Sequence, residues 1–251
     1  MIVQYYSDSL GLSRPKVVSL NERYIYLFQK WLKIETRTEL FLIDRAHGGS
    51  TLIDLYEQFL HDEGYIDYKK DLLIIHAGVC DCAPRPVPPK IRKLISVAPS
   101  FFRKKIISFL HNNRKTLLKN GIVFYNSDVK KFEKTLNEWL QNALNKFKLI
   151  LVLNIAPTNE SIESHSPGFK KSITVFNNSI FEVVKKMQND KVVMIDIYTL
   201  FSDSNLNIDD LILKEDGHHL TALGNEMIFD KLRIESRRLF ENLNYNLVES
   251  T

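Results

Sequence analysis

The chain has 251 residues, 44% of them hydrophobic and 25% charged, enough for one sizeable α/β domain with a full core. No apolar run approaches the ~20 residues that a membrane-spanning helix needs. Cys80 and Cys82 stand one residue apart, which would strain a mutual disulfide and makes no secreted disulfide framework. Net charge is +4 but uneven: residues 82–127 contain no Asp or Glu and ten Lys or Arg. Such one-sided charge attracts anions.

Taken in chain order, apolar residues on successive positions predict strands over 2–6, 40–43, 72–75, 149–155 and 192–197. Strands of a parallel sheet covered on both faces read this way. The first strand begins almost at Met1 with no basic segment and apolar core ahead of it, so no secretory leader is expected and a cytoplasmic location is. Between the strands lie helical stripes. Leu20, Tyr24, Leu27, Phe28 and Trp31 form the first, with Ser19 and Glu22 spaced as a capping box. Leu52, Leu55, Tyr56 and Phe59 form the second, with Ser50 as candidate cap and Gly64 beyond its end. The stretch 84–89 holds four prolines and cannot be interior helix. The basic segment after it, roughly 86–127, reads as an insertion beside the active-site rim that acts as a lid, or as a surface helix with a solvated basic face. Phe132, Leu136, Trp139, Leu140 and Phe147 form a third stripe, and Phe169, Ile173, Phe176, Ile180, Val184 and Met187 a fourth. Thr221 is placed to cap a last helix with Ile228, Leu232 and Leu239 facing inward.

Alternation of this kind predicts a parallel sheet with right-handed crossovers and helices on both faces, a single domain over 1–251. Active sites in such sheets lie beyond the carboxyl ends of the strands, and Ser9, Gly49 and Gly78 each follow a strand. Two short signals carry chemistry. Ser7-Asp8-Ser9-Leu10 closes the first strand, and Asp216-Gly217-His218-His219 precedes the last helix. A serine hydroxyl needs a base to become a nucleophile, and the base needs a carboxylate to orient it. The bland alternatives are a turn serine and a solvated Asp-Gly turn. Asp216, His218 and His219 are also potential metal ligands, but adjacent histidines seldom both reach one ion and no second ligand cluster is evident. No metal or cofactor is expected.

With Gly48-Gly49-Ser50-Thr51 and Gly78-Val79-Cys80-Asp81 after the second and third strands, these segments make four ordered blocks. Together they resemble the SGNH, or GDSL, hydrolase family. The resemblance implies a flavodoxin-like three-layer α/β/α sandwich of about five parallel strands, and ester hydrolysis through an acyl-enzyme. It implies Ser9 as nucleophile, His219 as base by the Asp-x-x-His spacing, and Asp216 as its orienting carboxylate. It implies oxyanion donors from Ser9, from Gly49 (placed by ungapped spacing from Arg45) and from the third block. There the usual asparagine is replaced by Cys80, a weak donor, and Ser7 replaces the first-block glycine. Asp8 and Asp81 are expected to organise their loops and, with Gly78 and Arg85, to border the substrate. Arg85 is a candidate grip for a carboxylate or phosphate, or else a structural ion pair with Asp81. Nothing assigns a role to His47 or His76.

The leading expectation is an esterase removing a small acyl group, most plausibly acetyl, from a carbohydrate or similar polar and anionic substrate. One alternative is acyl transfer to a sugar hydroxyl by the same residues. Another is a degenerate fold binding a polyanion through residues 85–119, although no nucleic-acid module is recognisable. Oligomeric state is not legible.

Overall fold

The computed structural model describes residues 1–14, 16–64 and 70–242. Strands β1 (Ile2–Ser7), β2 (Phe41–Ala46), β3 (Lys70–His76), β4 (Phe147–Leu153) and β5 (Val192–Ile195) form one parallel sheet in the order β2-β1-β3-β4-β5. Helices are α1 (Tyr24–Thr36), α2 (Leu52–Glu63), α3 (Val79–Cys82), α4 (Pro89–Val97), α5 (Ser100–Lys119), α6 (Val129–Leu144), α7 (Glu160–His165), α8 (Phe169–Met187), α9 (Ile197–Ser202), α10 (Ile208–Leu211) and α11 (Ala222–Asn242).

Two apolar layers sandwich the sheet because its strands are apolar on both faces. Tyr5 points with Val3, Ile74 and Leu151 into a core shared with Phe28 of α1 and Leu232 of α11. Tyr6, one residue on, points to the opposite face, where Phe59 of α2, Trp139 of α6 and Phe176 of α8 close the second core. Trp139 stands edge-on to Tyr6 at 5.5 Å between ring centroids. That alternation is the period-two geometry of a strand.

The register sets the site. Ser7 is level with Ala46 on β2 and His76 on β3, His76 with Leu153 on β4, and Leu153 with Ile195 on β5. All five strands therefore end on one rim. The strand order reverses between β1 and β3, and the crevice there is where ligands of open parallel sheets bind.

Several local expectations are corrected. Glu22 does accept from the Ser19 N–H at 2.7 Å, but it closes a single 3-10 turn, Leu20–Glu22, and α1 starts at Tyr24. Thr51, not Ser50, caps α2; its hydroxyl and Asp54 satisfy each other's backbone N–H, while Ser50 bonds His47 at 2.9 Å. Phe147 belongs to β4, because α6 ends at Leu144. β4 and β5 stop short of 155 and 197: Asn154 turns its side chain to the backbone of Ile197 and Tyr198, and Asp196 caps α9. The basic segment is a helical hairpin, α4 and α5, tied at its base by paired backbone hydrogen bonds of 2.8 Å between Arg85 and Phe124. Pro89 occupies the first turn of α4, where its missing N–H costs nothing. The outer face of the hairpin exposes Leu94, Val97, Phe101, Phe102 and Phe109. Thr221 caps α11 through the Gly224 N–H at 3.0 Å.

Candidate active site

The loop after β1 is held by a buried carboxylate. Asp8 is fully buried and accepts from the N–H groups of Leu10, Gly78 and Val79, each at 3.0 Å. It thereby staples the Ser9 turn to the loop after β3. Burial raises the Asp8 carboxyl to about 7 against the pull of those N–H groups, and the nearby Asp81 charge adds to the rise. Gly78 is required here: its φ is +127°, and a Cβ would come within 2.8 Å of Ile155.

The loop before α11 brings the second signal across the rim. The backbone bonds Leu213 N–H to His219 O at 2.7 Å and Gly217 N–H to Leu213 O at 2.8 Å tie it into a compact turn. Gly217 adopts φ +72° against Ile162 of α7, so the turn can fold only with glycine there. In this turn Asp216 Oδ1 accepts from the backbone of His218 at 3.2 Å and of His219 at 3.0 Å, and Oδ2 lies 2.7 Å from His219 Nδ1. His219 Nε2 then stands 3.1 Å from Ser9 Oγ. With Nδ1–H donating to Asp216, Nε2 is free to accept the serine proton. Partial burial alone would raise the Asp216 carboxyl, yet the His219 ring and backbone hold it well below the usual carboxylate range. It is therefore an anion at any working pH, as an orienting group must be.

His218 makes no hydrogen bond to Ser9. Its Nδ1 faces the Asp216 carbonyl oxygen at 2.9 Å, and burial, then the neighbouring His219, lower it to about 4. Asp216, His218 and His219 do offer ligand atoms within 4.8 Å of one another. Both ring nitrogens of His219, however, take part in the chain from Asp216 to Ser9.

The donors for a developing oxyanion are less complete. The Ser9 N–H is near enough to the Cys80 thiol to act against its rise, so the third-block position lies by Ser9. Burial, then the Asp8 charge, push the Cys80 thiol up to about 12, which keeps it a neutral, weak donor. Asn126, which sequence reasoning missed, donates to the Cys80 carbonyl oxygen at 2.6 Å and shores up this loop. Gly49 lies exposed in the turn after β2 with φ +85°.

Asp81 is buried and accepts from the Leu52 N–H at 2.9 Å and from Ser127. Neither Asp8 nor Asp81 thus has a surface to offer a substrate, and their expected place at its border is corrected: burial and backbone hydrogen bonds make them loop organisers. Arg85 forms no ion pair with Asp81. Among the described residues its guanidinium has no hydrogen-bond partner, and it lies close enough to oppose the rise of the Cys80 thiol. Arg14, also missed, donates to the Ser9 carbonyl oxygen at 3.1 Å and sets a positive charge near Asp216. His76 is fully buried beneath the site, its Nδ1 2.6 Å from the Tyr24 hydroxyl, and burial lowers it to about 3.

No protein-family model and no curated protein matches this sequence. Solved structures do. A lipase/acylhydrolase from Enterococcus faecalis superposes with a TM-score of 0.65 over 100% of this chain and 98% of its own, at 13% identity. A member of the lipolytic protein G-D-S-L family from Veillonella parvula gives 0.62 over 94% and 98%, at 11% identity. Axe2, an acetylxylan esterase from Geobacillus stearothermophilus, gives 0.60 over 92% of each chain, at 14% identity. The chain has the fold of the SGNH, or G-D-S-L, hydrolases, with the five-stranded parallel sheet between two helical layers that the four sequence blocks imply.

Proposed function

We propose that the protein is a serine ester hydrolase that removes a small acyl group, acetyl first among them, from a carbohydrate or similar polar substrate. The observation that carries this reading is the unbroken chain from Ser9 Oγ through His219 to Asp216, at 3.1 and 2.7 Å. In the reaction, His219 Nε2 takes the hydroxyl proton as Ser9 Oγ bonds to the ester carbon. The tetrahedral intermediate collapses when His219 returns that proton to the departing alcohol, leaving an acyl-serine. Water, deprotonated by the same imidazole, then releases the acid and restores Ser9. Asp216 holds the tautomer and offsets the charge on the imidazolium. Backbone N–H groups of Ser9 and Gly49 serve the oxyanion, with Cys80 a poor third. The shared fold with an acetylxylan esterase supports the acetyl and carbohydrate part of the reading.

The test is steady-state hydrolysis of a generic acetyl ester by the wild type and by Ser9→Ala. The variant should lose turnover while keeping its circular dichroism spectrum and melting temperature. Equal turnover in the two would remove Ser9 from this role.

A further inference from the structure

The hairpin α4–α5 and the chain leading into it at Arg85 border an open cavity of about 400 Å3, within the size range of small-molecule sites. Arg85, Arg92, Arg103 and Arg114 line it, with Ile95 and Ile107 among its apolar wall, and it has no acidic residue in its lining. Four guanidiniums around one cavity repel one another unless something neutralises them. The neutralising groups are missing: among the described residues none of the four pairs with a carboxylate. The Nε atoms of Arg85, Arg92 and Arg114 are buried without a hydrogen-bond partner, a state that costs free energy in a folded protein unless a ligand relieves it. Burial, then the charges of Arg85 and Arg92, lower Arg114 to about 10.

The cluster is braced rather than loose. Arg114 donates to the Pro84 carbonyl oxygen at 2.6 Å, Arg103 to that of Ser96 at 3.1 Å, and Arg92 to the Asn126 side chain. Asn126 in turn holds the Cys80 carbonyl, so the cavity is coupled through one side chain to the loop that faces Ser9. Arg85, with no such duty, is the guanidinium left free to meet a ligand.

We propose that this cavity binds an anionic group of the ester substrate, a carboxylate, sulfate or phosphate. The proposal rests on the hydrolase reading above for the word substrate, but the anion site stands without it. A planar guanidinium matches each of these oxyanions with two parallel hydrogen bonds. The apolar wall leaves room for the body of a small molecule, and the absence of acids excludes cationic ligands.

Two measurements test it. The first compares kcat/KM for a pair of acetyl esters that differ only in carrying a carboxylate or its neutral amide. The wild type should favour the anion by about tenfold or more, chiefly through KM, as a charge-assisted hydrogen bond implies. Arg85→Gln should remove most of that preference and Arg85→Lys should keep part of it. Equal kcat/KM for the two esters in the wild type, or a preference untouched in Arg85→Gln, would overturn the proposal. The second is calorimetric titration with inorganic phosphate, which needs no turnover. A saturable site that Arg85→Gln weakens supports the anion site even if neither ester is hydrolysed, in which case only the hydrolase reading falls. No saturable binding, or binding identical in Arg85→Gln, would overturn the anion site itself.

Discussion

Replacing Cys80 by asparagine should raise the rate of ester hydrolysis. The Ser9 N–H acts on the Cys80 thiol, and on the proposed reading this position is the one from which an amide would donate to the oxyanion. Its thiol stays neutral because burial pushes it up to about 12, and a neutral S–H is a weak donor. A well-placed oxyanion donor is worth about 10²–10³ in kcat, so Cys80→Asn should raise kcat by roughly tenfold or more while leaving KM nearly unchanged, since the added bond forms mainly in the transition state. The residue is only 6% exposed and belongs to the core that also holds Val79, Ala83 and Phe132. The larger amide should therefore lower folding stability by about 1–3 kcal/mol, read as a smaller denaturation midpoint in urea. Cys80→Ala, which removes only the weak donor, should change kcat by less than about threefold, under 1 kcal/mol. A folded Cys80→Asn variant with kcat equal to or below that of the wild type would refute the assignment of this position to the oxyanion site.

Asp216→Asn should lower kcat by about 10³–10⁴ by letting the imidazole adopt the wrong tautomer, with little change in melting temperature because the carboxylate is partly exposed. Asp8→Ala leaves the N–H groups of Leu10, Gly78 and Val79 without their acceptor; unfolding in urea should show a loss of at least about 3 kcal/mol, at 1–3 kcal/mol for each buried orphan. His76 is held neutral to about 3 in the folded state but takes a proton near 6.5 when unfolded. At this residue the unfolded chain thus binds more protons between about 6.5 and 3, so the His76 contribution to stability should fall as pH drops, by up to about 1.4 kcal/mol per pH unit, while the raised carboxyls of Asp8 and Asp81 act in the opposite direction. His76→Gln should remove that contribution, so the stability difference between wild type and variant should change with pH across this window, and a difference constant in pH would count against the assignment.

The parts legible in the sequence are those written locally. Ser9, Asp216 and His219 sit in short segments whose spacing is itself the signal, and the strands are unbroken apolar runs. The errors occur where one pattern serves two elements. Phe147 is in phase with α6, yet it is the first residue of β4, because helix and strand bury the same side of the chain. Ser50 and Thr51 are both plausible caps, and the deciding signal was Asp54, three residues after Thr51. Arg14 was not legible because it bonds a nearby backbone carbonyl that no sequence pattern marks, and Asn126 because its partner is set by tertiary structure. Asn126 reaches Cys80 only because the α4–α5 hairpin returns the chain to the Arg85–Phe124 bridge. The arginine cavity was visible only as a one-sided run of charge; which of the ten cations converge is decided by the hairpin.

The central claim is that Ser9 is the activated nucleophile of this rim. It is tested most directly by reaction with a fluorophosphonate probe followed by mass spectrometry of the modified peptide. One adduct is expected, on Ser9, absent in Ser9→Ala and strongly slowed in His219→Ala. Modification of another residue, or none under conditions that label a known serine esterase, would contradict it.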